Sequence, residues 1–196
     1  MKPAAFHYYR PDTLEEALKL LKEYGDDGKI IAGGQSLVPI LNMRLTQLNH
    51  VIDIGRLPGL NGIRYADGML VIGALCRQRE AERSPLVKQF APLLAEAVPY
   101  IGHVQTRNRG TVGGSLVHAD PTAEIPLTLL ALDASAVIQS AEETREVAVR
   151  DFFITYLTTD IAPWEMLTEI RIPAEHIPQG YAFVEFSRRH GDFALV

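Results

Sequence analysis

The sequence predicts an α+β fold in two units, and three patterns carry that expectation. Helix-period and short strand-like segments alternate over residues 1–57. Asp67-Gly68, flanked by two apolar runs, signals an antiparallel hairpin, and alternating segments return at 134–140, 146–149 and 166–172. Between them, residues 77–98 and 124–131 have helical patterns.

Taken in order, Phe6 to Tyr9 reads as a short strand. Asp12-Thr13 then precedes Leu14, Ala17, Leu18 and Leu21 at helical spacing, with Thr13 and Glu16 as a capping box and Gly25 closing the end. Ile30-Ile31-Ala32 is too short for a helix and runs into Gly33-Gly34, so it is read as a strand entering a tight loop. Val51 to Ile54 is a further strand, and the turn residues Pro58-Gly59 close the first unit. In the second unit Ile63 to Tyr65 and Met69 to Ile72 form the hairpin. The helical stretch after it is broken at Ser84-Pro85 and again at Pro92, which predicts two helices. Arg107 to Gly114 is read as a polar, glycine-dense loop, and Tyr181 to Ser187 as a last strand. The expected units are 1–57, 58–175 and, as the start of a further domain, 176–196. The apolar ending Phe193-Ala194-Leu195-Val196 predicts that a C-terminal piece is missing.

Composition excludes several classes of function. The 196 residues are 47% hydrophobic and 22% charged, a globular balance. Nineteen Lys and Arg against 24 Asp and Glu give a net charge of -5, which offers no basic field to nucleic acid or anionic lipid. The single cysteine, Cys76, excludes a disulfide framework, an iron–sulfur cluster held by this chain and a Cys-rich zinc site. It also points to a reducing, cytoplasmic compartment. No apolar run nears the ~18 residues of a membrane span. The six histidines lack metal-ligand spacing, so no metal site is expected. Arg77, Arg79 and Arg83 alternate with Glu80 and Glu82 as on a solvated helix face, while Trp164 reads as a core anchor and Cys76 as structural.

Two double-glycine segments stand out: Ala32-Gly33-Gly34-Gln35-Ser36 and Thr111-Val112-Gly113-Gly114-Ser115. Glycine accepts positive φ and has no side chain, so successive N–H groups can converge on one anion with a Ser or Thr hydroxyl beside them. Either segment alone is commonly just a tight turn. Together they could grip the two phosphates of a dinucleotide. Neither spells the P-loop or the G-x-G-x-x-G fingerprint, and Ser36 is not in a G-x-S-x-G elbow.

Ala32 to Pro39 followed by Arg44, and Thr111 to Ser115 followed by Ala119-Asp120-Pro121, resemble the paired FAD motifs of the flavin-binding medium subunit of molybdenum hydroxylases, the carbon monoxide dehydrogenase and xanthine dehydrogenase type. Phe6 to Pro11 and Arg188 to Ala194 also resemble that family, so the likeness runs the whole length. It implies the two-subdomain FAD fold of the PCMH and vanillyl-alcohol-oxidase type: a small N-terminal α/β subdomain and a larger one with an antiparallel sheet and helices, with FAD between them. The family chain continues for about another hundred residues into a C-terminal domain that helps cover the flavin. The resemblance places the pyrophosphate on Ala32, Gly33, Gly34, Gln35 and Ser36 and on Thr111, Val112, Gly113, Gly114 and Ser115, with Ile31 and Leu37 beside the flavin. Asp120 and Leu167 are counted with the cofactor residues. Glu124 would accept ribityl or ribose hydroxyls, a role that suits an acceptor-only carboxylate. Ile101 stands at an adenine-stacking position, Phe193 where a relative type has an aromatic over the isoalloxazine, and Ser115 where many members have Asn.

The activity so implied is electron transfer. FAD would receive electrons from the [2Fe–2S] clusters of a small partner subunit and pass them to NAD, a quinone or oxygen. Substrate would be oxidised on a large molybdopterin subunit, commonly in a dimer of heterotrimers. No catalytic residue is expected on this chain. Two alternatives stand beside this reading: a stand-alone FAD oxidase or reductase, and a cofactor-poor module that docks to other subunits.

Overall fold

A computed structural model describes residues 2–174 and 180–196. The chain forms an α+β fold around two main sheets. The first part runs β1 (His7–Tyr9), α1 (Leu14–Tyr24), β2 (Gly28–Ile31), α2 (Leu37–Asn42) and β3 (His50–Asp53). Its three strands pair in parallel in the order β1-β3-β2, with His7 and Gly28 both in register with His50. Thr13 caps α1 by accepting the Glu16 N–H, and Gly25 at φ 49° ends it. The Glu16 carboxylate reaches one residue further out than a standard capping box, to the Asp12 N–H at 2.9 Å. Ala17, Leu18 and Leu21, one face of α1, are buried with Ile52.

The second part opens with the hairpin β4 (Ile63–Ala66) and β5 (Met69–Gly73). Its turn residues Asp67 and Gly68 both have positive φ, the conformation that matches strand twist. Six helices follow: α3 (Gln78–Arg83), α4 (Pro85–Phe90), α5 (Pro92–Ala97), α6 (Val104–Arg107), α7 (Val112–His118) and α8 (Glu124–Ala131). Then come β6 (Ser135–Gln139), β7 (Thr144–Ala148), α9 (Val149–Phe152), the small hairpin β8 (Phe153–Thr155) and β9 (Thr158–Thr159), and β10 (Met166–Pro173). β4-β5-β10-β6-β7 make one antiparallel sheet. Its inner face packs Leu70, Ile72, Ile138 and Ile170 against Leu94, Leu116, Ile125 and Leu129 of the helices.

The two parts share apolar packing. Leu57, Leu60, Leu75 and Met166 join Ala17, Leu18, Leu21 and Ile52 in one buried cluster, so residues 54–62 are no flexible linker. The boundary expected at 175, with residues 176–179 and His176, lies outside the described residues.

Several expectations are corrected. The 77–98 stretch holds three helices rather than two, because Pro85 and Pro92 each start one at a position whose missing N–H has no helical partner to lose. The 107–114 segment is not one loop: α6 ends with Arg107 and α7 begins at Val112. Tyr181 to Ser187 forms no strand. Its Phe183 packs on the Tyr100 ring at 5.0 Å instead. Trp164 is 50% exposed, and the inward position goes to Glu165, which accepts from the Arg145 guanidinium at 2.8 and 2.7 Å. The 77–83 face is not wholly solvated either. Glu82 pairs with Arg79 and with the buried Arg107, whose guanidinium also donates to the carbonyls of Pro99, Ile101 and Gly102. Burial pushes Glu82 up, but the two guanidiniums outweigh it and hold the carboxyl below its usual range. Cys76 is fully buried, and that burial pushes its thiol up to about 12, so it stays an unreactive core thiol.

Candidate functional site

The segment between β2 and α2 leaves the carboxyl end of a parallel strand, where loops are free to diverge and hold a ligand. Gly34 at φ 72° turns the chain there, and α2 starts on the Val38 N–H bond to Gly34 O at 3.1 Å. Among the described residues, none of the backbone N–H groups from Ala32 to Ser36 donates to a protein acceptor. A run of free donors on a part-buried loop is the feature that binds an anion.

These donors border a cavity of about 350 Å³. Residues 31–35, Val38 and Pro39 line it together with Asp53 at the end of β3 and Arg109 from the α6–α7 loop. The volume lies within the range of roughly 300–1,000 Å³ typical of small-molecule sites. The 109–110 backbone reaches the cavity only because residue 33 is glycine. A Cβ there would stand 2.9 Å from Gly110 Cα and nearer still to Arg109 O. The Arg77 guanidinium also donates to Arg109 O and holds that loop in place. Asp53 accepts the Tyr8 hydroxyl on one oxygen and the Gly55 N–H, at 2.8 Å, on the other.

The second glycine segment is built differently. Val112 N–H donates to Cys76 O at 2.9 Å and Gly113 N–H to Ala74 O at 3.0 Å. Gly114 N–H donates to Thr111 Oγ1 at 3.0 Å and Ser115 N–H to Thr111 O at 3.1 Å. The four donors are therefore occupied within the chain. Gly113 is buried because α7 lies against Ala74, whose atoms a Cβ would meet at 2.7 Å. Gly114 is exposed, and a Cβ there would meet the Thr111 side chain, 2.6 Å from its hydroxyl oxygen. Spacing made the two segments look alike. In the fold, the first is an open cradle and the second a capped helix start.

The remaining candidates are spread more widely. Ser36 precedes α2 and Leu37 begins it, beside the cavity rather than lining it. Asp120 is engaged by Thr122, whose N–H and hydroxyl both donate to its Oδ1 at 2.9 and 2.7 Å. Ile101 is half-buried next to Arg107, Leu167 is buried in the main core, and Phe193 is 74% exposed. Glu124, the first residue of α8, is buried, and burial pushes its carboxyl up to about 7, with like-charge repulsion from Glu185 and Asp120 adding to the rise. Val38, Pro39, Asp53 and Arg109 line the cavity without having been singled out in the sequence. For Asp53 a signal existed, since it ends a parallel strand adjacent to the glycine loop.

The fit to a dinucleotide can be judged on these features. Free N–H groups suit a pyrophosphate, a Cβ-free position admits the opposing backbone, and the buried Glu124 carboxyl suits a sugar hydroxyl. The residues present fit FAD. Residues 4–175 match the model of the FAD binding domain in molybdopterin dehydrogenase. The chain belongs to this family. FAD is the cofactor of such a domain. The chain is 47% identical to 6-hydroxypseudooxynicotine dehydrogenase complex subunit alpha of Paenarthrobacter nicotinovorans, over 100% of this chain and 66% of that protein. It is 41% identical to caffeine dehydrogenase subunit beta of a Pseudomonas species, over 99% of this chain and 66% of that protein. Among solved structures, carbon monoxide dehydrogenase from Hydrogenophaga pseudoflava superposes with a TM-score of 0.95 at 39% identity, covering 99% of this chain and 68% of that one. The chain thus spans about two thirds of the length of the relatives it matches. Among the described residues, no helix is long and apolar enough to cross a membrane, and no group of three or more His, Cys, Asp or Glu is arranged for a metal.

Proposed function

We propose that this chain is the FAD-carrying part of the medium subunit of a molybdenum hydroxylase complex, working with a large molybdopterin subunit and a small [2Fe–2S] subunit in a reducing, cytoplasmic setting. The observation that carries this reading is the open cradle of unpaired N–H donors at 32–36 facing the 109–110 backbone, within a stretch that matches the family from residue 4 to 175. The flavin supplies the chemistry, accepting electrons from one-electron iron–sulfur donors and handing them to a terminal acceptor. The protein's part is to bind and orient. Ala32 to Ser36 would hold phosphate oxygens through backbone N–H groups, with Thr111 Oγ as a further hydroxyl donor. Glu124 would accept a sugar hydroxyl. Ile31 and Leu37 would supply apolar contact beside the ring system. Substrate oxidation belongs to the molybdenum subunit, which fits a cavity bearing no nucleophile with an adjacent base. The corresponding domain boundaries would be 1–57, 58–175 and 176–196.

The test is direct. The purified chain is incubated with excess FAD and desalted, and its visible spectrum is recorded. Retained, stoichiometric flavin supports the reading. A colourless protein that has kept its helical circular dichroism favours a docking module that needs no cofactor.

A further inference from the structure

Behind the wall that faces the phosphate cradle stands a guanidinium without an acid to pair with. Arg77, the residue that precedes α3, is half-buried, and among the described residues no carboxylate lies within ion-pair distance of its side chain. Glu80, the acid nearest in sequence, accepts the Arg77 backbone N–H at 3.0 Å instead. The guanidinium turns to a carbonyl: it donates to Arg109 O, the atom that a Cβ on Gly33 would strike first. Among the described residues it is the only donor to that oxygen.

The 109–111 backbone is gripped on one side by this start of α3 and touched on the other by Gly33. Gln78 N–H donates to Gly110 O at 2.9 Å, Arg77 and Thr111 pair as an antiparallel bridge, and a Cβ on Gly110 would come within 2.6 Å of the Gln78 side chain. The first two ties are backbone contacts, which a substitution at 77 leaves available. The tie to the Arg109 carbonyl alone depends on the Arg77 side chain.

Electrostatics gives that tie its consequence. The cavity offers an anion the N–H groups of 32–36, but two of its lining groups oppose one. Asp53 is a carboxylate, and the Arg109 carbonyl brings the negative end of a dipole against Gly33. A guanidinium on that oxygen offsets both, because its positive charge lies one hydrogen bond behind the wall and no carboxylate neutralises it. Being half-buried, it is screened by salt less than a surface charge, though still measurably.

We infer that Arg77 is a positioning residue of the FAD site: through Arg109 O its guanidinium fixes the wall that meets Gly33, and its unpaired charge favours the pyrophosphate there. The inference rests on the FAD reading above and adds to it a residue outside both glycine segments.

The experiment measures the FAD dissociation constant of the 196-residue chain at about 0.03 M and about 0.3 M salt, for wild type, Arg77→Lys and two neutral variants, Arg77→Gln and Arg77→Met. Circular dichroism establishes that each variant is folded. The expected result is FAD binding on the order of tenfold weaker in the neutral variants at low salt, with the gap to wild type narrowing at high salt and lysine restoring most of the affinity. A side chain that only shapes the loop would give a loss independent of salt and equal in the lysine variant, which lacks the planar fork. That outcome overturns the proposal, and so does wild-type affinity in a folded neutral variant. Should one neutral variant fail to fold, the other decides; unfolding of both makes Arg77 a residue of the fold and overturns the proposal as well. In each of these cases wild-type FAD binding, and with it the cofactor reading, stands. Failure of the wild-type chain to bind FAD at either salt concentration overturns the cofactor reading itself and this inference with it.

Discussion

At Gly33 the missing side chain lets two loops meet, because the Arg109–Gly110 backbone occupies the volume a Cβ would need. Gly33→Ala should therefore push the loops apart and cost about 1–3 kcal/mol of overpacking, most of it felt at the cavity. Gly114→Ala meets no opposing backbone, only the side chain of Thr111, which caps α7 by accepting the Gly114 N–H. Flavin retained after desalting should fall steeply in the first variant and little in the second; equal losses would show that both segments touch phosphate. Glu124 makes a separate prediction about stability. Its carboxyl is raised from 4.5 to about 7 in the folded chain, so the folded state holds more protons than the unfolded state between those values. Its contribution is then fully present below the unfolded value and lost as pH rises through about 7, a decline of up to about 3 kcal/mol for the flavin-free chain. Denaturant unfolding at about pH 5 and about pH 8 measures the decline, and Glu124→Gln should abolish most of it.

Among the elements, α3, α6 and the 99–102 turn are fastened together by one guanidinium. Arg107, 9% exposed, donates to three carbonyls of the 99–102 turn and to Glu82 on α3. That turn is also where Phe183 and Gly191 rest, against Tyr100 and Gly102. Arg107→Met keeps the length of the side chain but strands Glu82's burial against a single remaining arginine. Loss of one partner from a buried pair typically removes about 3–5 kcal/mol, which urea unfolding would register as a lower midpoint at unchanged m-value. The elements easiest to read in the sequence were those with local signals. Thr13, Gly25 and the 3.6-residue spacing between them marked α1, and Asp67-Gly68 marked the hairpin. The extra helix in 77–98 was legible in principle, since each proline marks a start. The short α2, α6 and α9, and the β8–β9 hairpin, carry too few turns or pairs for local preference to announce them; tertiary packing makes them.

For the whole molecule, both sheets are joined by a shared apolar cluster, so the cavity between 32–36 and 109–110 is held by packing rather than by a hinge. FAD bound to the folded chain alone should raise its melting temperature. The gain approaches about 2.7 kcal/mol at free FAD one hundred times the dissociation constant, and differential scanning with increasing FAD would reveal it. Sequence reading alone established the class of fold, the family likeness, the absence of any cluster- or disulfide-forming cysteine set, and both glycine segments. Those properties follow from composition, local backbone preference and motif, which a linear chain displays. Only the tertiary structure distinguished the two glycine segments, since whether an N–H is free depends on carbonyls such as Cys76 O and Ala74 O that are 36 and 39 positions away from Val112 and Gly113. Only it brought Asp53 and Arg109 to the cavity and buried the Glu124 carboxyl. Burial and like-charge proximity are relations between distant residues, and folding alone creates them.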